Sequence, residues 1–182
     1  LPLLINRLNY ADMQSMGLKL TAEEIYSVNN SSLKDAIVIY GRGCTGEMIS
    51  PEGLLLTNHH CGYGIIQSHS TTVNNYLADG FWAMSRNEEL PNPGLSVRFL
   101  QYMEDVTSQV LDAVKDITDE ADRRKEISKL MSDIGKEAVK DTHYEGVVRE
   151  FFHGNEYYLF VYEVFTDVRL VGAPPSSIGK FG

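Results

Sequence analysis

Gly43-Cys44-Thr45-Gly46-Glu47-Met48-Ile49-Ser50-Pro51-Glu52-Gly53-Leu54-Leu55-Leu56-Thr57-Asn58-His59-His60-Cys61-Gly62 is the stretch that decides the fold. It holds both cysteines and two of the five histidines. Ser50-Pro51-Glu52-Gly53 reads as a tight turn, because proline presets φ at the second position and glycine supplies positive φ at the fourth. Leu54-Leu55-Leu56 has the length of a buried strand. The stretch therefore reads as strand, turn, strand, with His59-His60-Cys61 delivered off the end. If Ser50 faces Gly53 across the turn, Cys44 falls opposite His59. Cys61 lies two residues further on, within disulfide reach if the chain bends there.

Two readings of the cysteines stand. As a disulfide they imply an oxidising compartment such as the periplasm, and a closed loop of this length contributes about 3 kcal/mol in the chain-entropy picture. As free thiols they are buried and inert, or they bind metal. The hairpin register favours the disulfide, and a thiol titration separates the two.

Upstream, Ala36-Ile37-Val38-Ile39-Tyr40 is β-branched and aromatic, hence a strand. Thr21-Ala22-Glu23-Glu24 is a capping box opening a short helix through Ile25, Tyr26 and Val28. Ser31 or Ser32 can cap one more turn. Apolar positions at Ile5, Leu8, Met13 and Met16 read as weakly helical, stopped by a left-handed Gly17.

Downstream, Gly62 and Gly64 are expected to let the backbone turn sharply beside His60. Residues from Tyr76 to Met84 read as loop with a short helical turn, and Glu89 to Gly94 as irregular. Leu95 to Met103 alternates as a strand does. From Val106 to Val139 the period becomes helical, with Val106, Val110, Leu111 and Val114 on one helix and Ile127, Leu130, Met131, Ile134 and Val139 on a second. Val147 to Phe152 and Tyr157 to Phe165 read as strands joined by a turn at His153-Gly154-Asn155, and Asp167 to Val171 extends the pattern. Gly172 to Gly182 reads as loop.

At 182 residues and 43% hydrophobic, the chain can build a core. A net charge of −9 argues against a nucleic-acid backbone or an anionic membrane as the main partner, since both need basic patches. No apolar run approaches the length of a membrane-spanning helix. The chain opens on Leu1-Pro2-Leu3 without a basic leader or initiator Met, and stops inside a loop, which reads as a processed or truncated product.

An imidazole at the end of rigid structure is what a nucleophilic hydrolase needs for its general base. The run Leu56-Thr57-Asn58-His59-His60-Cys61 resembles the chymotrypsin-like stretch in which an apolar strand leads to the base and an adjacent cysteine. The likeness extends further. Gly43 to Glu47, Leu54 to Gly64, Ile66 to Ser70, Asp79 to Ala83, Glu88 to Leu95 and Val171 to Gly182 all resemble the bacterial dipeptidyl peptidases of types 7 and 11.

The resemblance implies a periplasmic or cell-surface serine exopeptidase of Gram-negative bacteria that releases dipeptides from peptide N-termini. It implies a chymotrypsin-type double β-barrel with a large helical domain over the cleft, and a homodimer. His60 would be the general base. The family's triad Asp would lie shortly beyond residue 182 and its Ser far later, as would most groups that grip the substrate's amine. The chain alone is therefore expected to be inactive. No Ser here sits in a Gly-Asp-Ser-Gly setting, and Ser177 lacks the glycine two residues earlier that a nucleophile elbow needs.

The expected fold class is mainly β with α insertions: the first β-barrel portion of the double barrel, with N-terminal helices and a helical insertion. Residues 1–35 would be a helical segment packed on the barrel. Residues 36–182 would be the incomplete first peptidase barrel, with the insertion at about 106–141. Expected partners are peptide substrates and the remainder of the parent chain, with no nucleic acid, no membrane insertion and no cofactor. The alternatives are a metal-binding module using His59, His60, Cys61 and His69, or a non-catalytic β-barrel binding module. His143 and His153 are expected on the surface or in turns, and Trp82 with Phe81 in the core or at a barrel edge.

Overall fold

The computed structural model describes residues 10–180. In chain order the helices are α1 (Tyr10–Ser15), α2 (Ala22–Ile25), α3 (His59–His69), α4 (Tyr76–Asp79), α5 (Thr107–Ala113), α6 (Glu120–Ala138) and α7 (Ser176–Gly179). The strands are β1 (Ile37–Tyr40), β2 (Cys44–Met48), β3 (Leu55–Thr57), β4 (Phe81–Trp82), β5 (Leu90–Pro91), β6 (Val97–Asp105), β7 (Glu145–Phe151), β8 (Glu156–Phe165), β9 (Arg169–Leu170) and β10 (Gly172–Ala173). Sheets and helices are thus interspersed along the chain, and the sheets are open.

The chain divides into two compact units. One takes the described part of Leu1–Ala36 with Leu100–Glu163, the other Ile37–Phe99 with the described part of Val164–Gly182. Strands β6 and β8 each pass from one unit into the other.

The first unit is a sheet covered by helices. Strands β6, β8 and β7 are neighbours, in that order. Along β8 the inward residues alternate, and Tyr157, Leu159 and Val161 are buried. They cluster with Val148, Val106 and Val110. Helix α6 presents Ile127, Met131, Ile134 and Ala138 to this cluster, the recurring spacing of one helical face. Its N-terminus is capped by the Asp119 carboxylate, which accepts from the amides of Ala121 and Asp122. Two glycines let α6 lie on β7: a Cβ at Gly146 would sit 2.2 Å from the Gly135 carbonyl oxygen, and one at Gly135 2.6 Å from that of Gly146.

At the start of this unit the Thr21 capping box forms as expected, Thr21 Oγ1 accepting from Glu24 N and Glu24 accepting from Thr21 N. The helix it opens ends at Ile25 and does not reach Val28. Ser32 accepts from Asp35 N with its carbonyl and opens one more turn, over Leu33–Ala36. Gly17, with φ at +102°, follows α1; the expected beginning of that helix near Ile5 lies outside the described residues.

The second unit holds β3, β2, β1 and the start of β6, in that order. Val38, Tyr40 and Val97 form its buried cluster, against which Cys44, Met48, Leu55, Cys61, Leu95, Phe99 and Val168 pack. The segment from Gly172 onward, expected as loop, contains β10 paired with β4 and the single turn α7. Likewise β5 inside the proline-rich segment pairs with β9. These two-residue ladders depend on partners far away in sequence, so local pattern gives them no signal.

Candidate functional site

The hairpin of β2 and β3 forms in the expected register. Gly46 pairs with Thr57, Glu47 with Leu56 and Met48 with Leu55. Gly53 N donates to Ser50 O at 3.3 Å, and the Ser50 hydroxyl accepts from the amides of Glu52 and Leu54. Gly53 has φ of +88°, which only glycine adopts without strain. Beyond the ladder the Thr57 hydroxyl donates to Thr45 O at 2.7 Å.

At Asn58 the strand ends and α3 begins, where a sharp glycine turn was expected. Gly62 and Gly64 are weak helix formers, so this helix draws on tertiary contacts. Its amides at Cys61 and Gly62 donate to Asn58 O. Ile66 is buried. Cys61, in the first turn, is bonded to Cys44, with the two Cα atoms 6.1 Å apart. Cys44 is itself held opposite Tyr40 in the β1–β2 ladder. The first turn of α3 is thus covalently tied to the sheet. Asn58, a residue type favoured before helices, was the available signal, although its side chain makes no capping bond.

The adjacent histidines diverge. His60 is exposed. Its ligating ring nitrogen and the two cysteine sulfurs all lie within 4.8 Å of one another. His59 is half-buried and packs on α7, where a Cβ at Gly179 would sit 2.3 Å from its Cδ2. Its ring also meets Tyr63 edge-on at 6.1 Å. His59 Nε2 and Ser176 Oγ are buried without a hydrogen-bond partner among the described residues. His59 is therefore a packing residue, and His60 presents the free imidazole.

His69 has a third role. Its Nε2 lies 2.7 Å from Asn92 Oδ1. Asn92 is buried, and its amide group donates to Leu90 O and Val168 O. The pair fastens the end of α3 to the proline-rich segment, a connection that periodicity does not reveal. The expected metal set of His59, His60, Cys61 and His69 is thus not assembled. His59 and His69 are engaged elsewhere, and the disulfide takes the Cys61 thiolate. His143 is exposed beside Glu163, at 3.4 Å, and His153 sits in the β7–β8 turn. Trp82 is not in the core: it is 67% exposed and lies over Gly172, where a Cβ would come within 2.5 Å of its ring. No helix among the described residues is long and apolar enough to cross a membrane.

Residues 2–182 match the peptidase S46 family. The chain belongs to that family. Among its S46 relatives, an Asp/Glu-specific dipeptidyl-peptidase of Capnocytophaga gingivalis is 55% identical over all of this chain and 26% of its own length. A dipeptidyl-peptidase 7 of the same organism is 53% identical over 98% of this chain and 25% of its own. The crystal structure of Porphyromonas endodontalis DPP11 in complex with the dipeptide Arg-Glu superposes with a TM-score of 0.84 at 48% identity, covering 97% of this chain and 26% of that one. The chain spans about a quarter of the length of the S46 relatives it matches.

Proposed function

We propose that this chain is the N-terminal portion of a serine-type dipeptidyl peptidase that releases dipeptides from the N-termini of peptides. The observation that carries the reading is the exposed His60, held at the first turn of α3 by the Cys44–Cys61 bond to β2. A general base must keep one orientation while its imidazole stays open to the nucleophile, and the clamp supplies both conditions. His60 takes the proton from a Ser contributed by the rest of the parent chain. An Asp from that same remainder orients the imidazole and stabilises its charged form. The isolated chain, lacking both, is inactive.

The open sheets fit part of the first barrel of a chymotrypsin-like pair, with α5 and α6 as the inserted helices. The disulfide fits an oxidising compartment, the periplasm or cell surface, and the parent acts as a homodimer. Relatives named for Asp/Glu specificity and relatives named dipeptidyl-peptidase 7 match this region at 55% and 53%. On this reading the region supplies the base that both groups share, and side-chain selection lies in the remainder.

The test uses the parent at its relatives' full length with one peptide in free and N-acetylated forms. Dipeptides are released in sequence from the free form only, and a serine-directed fluorophosphonate stops the reaction. Cleavage of the acetylated peptide, or indifference to the fluorophosphonate, contradicts the reading.

A further inference from the structure

We propose that Cys44, Cys61 and His60 become a binding site for Zn²⁺ or a similar thiophilic divalent cation once the disulfide is reduced. The three donors already stand together, their ligand atoms within 4.8 Å of one another. Tetrahedral zinc with Zn–S bonds of about 2.3 Å holds two thiolates about 3.8 Å apart, so the sulfurs need only part from their bond. Cys₂His with an open fourth position is a donor set zinc accepts.

Backbone hydrogen bonds still tether both cysteine segments once the bond is open, and the cation takes over as the cross-link. Cys44 stays opposite Tyr40 in the β1–β2 ladder. The Cys61 amide donates to Asn58 O at 2.9 Å at the start of α3. Because His60 is exposed, a cation enters from solvent and the fourth position takes water.

A dithiol gives two electrons and two protons to the Cys44–Cys61 bond and leaves as its own disulfide. Cys44 and Cys61 become thiols, and the cation displaces their two protons to solvent. The His60 lone pair then belongs to the metal and accepts no proton, so capture shuts off the base. That consequence rests on the peptidase reading; the site itself does not.

The test reduces the 182-residue chain with a phosphine under argon. The phosphine takes oxygen from water while the disulfide becomes two thiols. After removal of the reagent, Co²⁺ is titrated in. The reduced chain shows thiolate-to-cobalt charge-transfer absorption in the near ultraviolet with strong visible bands of a tetrahedral site, and Zn²⁺ bleaches both. The oxidised chain shows neither. His60→Ala weakens Co²⁺ binding at least as much as loss of an outer-shell partner does, about 10–100-fold, whereas His69→Gln leaves it unchanged. Absent charge-transfer bands, an unaltered titration in His60→Ala, or loss of the circular-dichroism signal on reduction overturns the proposal. The spectrum reads the site whether or not His60 serves as a base.

Discussion

The two units are stabilised by different means. In the sheet-and-helix unit, Val106, Val110, Val148, Tyr157, Leu159 and Val161 are buried together and α6 lies directly on β7. In the unit that carries His60, the buried cluster is Val38, Tyr40 and Val97, and a disulfide joins the strand that leaves it to the helix that follows. A dense apolar core constrains every side chain that touches it. A covalent staple constrains two backbone points and leaves the neighbouring face open. The proposed role of His60 calls for that second arrangement, because a general base must be oriented without being covered.

The largest expected effect sharpens this contrast from the apolar side. Leu159→Ala removes a core side chain that is 2% exposed and should cost about 2–5 kcal/mol. Amide exchange should rise through β7, β8 and α6, read by mass spectrometry. An equal rise in β2, β3 and the first turn of α3 would break the distinction.

Replacing both cysteines, Cys44→Ser with Cys61→Ser, should cost about 3 kcal/mol for a bridge across 17 positions. Here exchange should rise first in α3 and the β2–β3 hairpin, with β7 and β8 protected. Denaturant unfolding followed by exchange checks both numbers.

How much of this was legible in the sequence follows the same division. The hairpin register was readable because Pro51 and Gly53 pin the turn and a two-residue side-chain period does the rest. The α5–α6 pair and the alternation of β8 were readable from periodicity. Helix α3 was not, because Gly62 and Gly64 argue against it locally. Nor was the direction of His59, which depends on Gly179 far along the chain, or the His69–Asn92 pair, or the Gly135–Gly146 approach. The place of His60 beside the disulfide was readable because the strand, the histidine and Cys61 lie within a few residues of one another. The chemistry of the corner is local in sequence, and its support is not.

The smallest effect concerns alkaline pH. Burial pushes the Tyr40 phenol above its usual 10.0. Burial does the same to Tyr157, with Glu150 adding to it and Arg123 opposing it. A phenol whose folded pKa is raised contributes stability that is complete below the unfolded value and is lost as pH climbs through the folded one. The phenols' contribution should therefore be constant up to about pH 10 and fall above it. Tyr40 is one residue of a small cluster, so β1 and β2 should loosen before β8, by amide exchange across an alkaline series. Simultaneous loosening would show that the small core is no weaker than the large one.

The central claim is that the clamp makes His60, and not its neighbour His59, the free imidazole of a peptidase. The most direct measurement is kcat/KM for dipeptide release by the full-length parent carrying either His60→Ala or His59→Ala. The first should lose on the order of 10⁴–10⁶-fold, as loss of a triad base does. The second should lose stability and keep most of its activity per folded molecule. Full activity in His60→Ala, with activity abolished in a folded His59→Ala, would contradict the account.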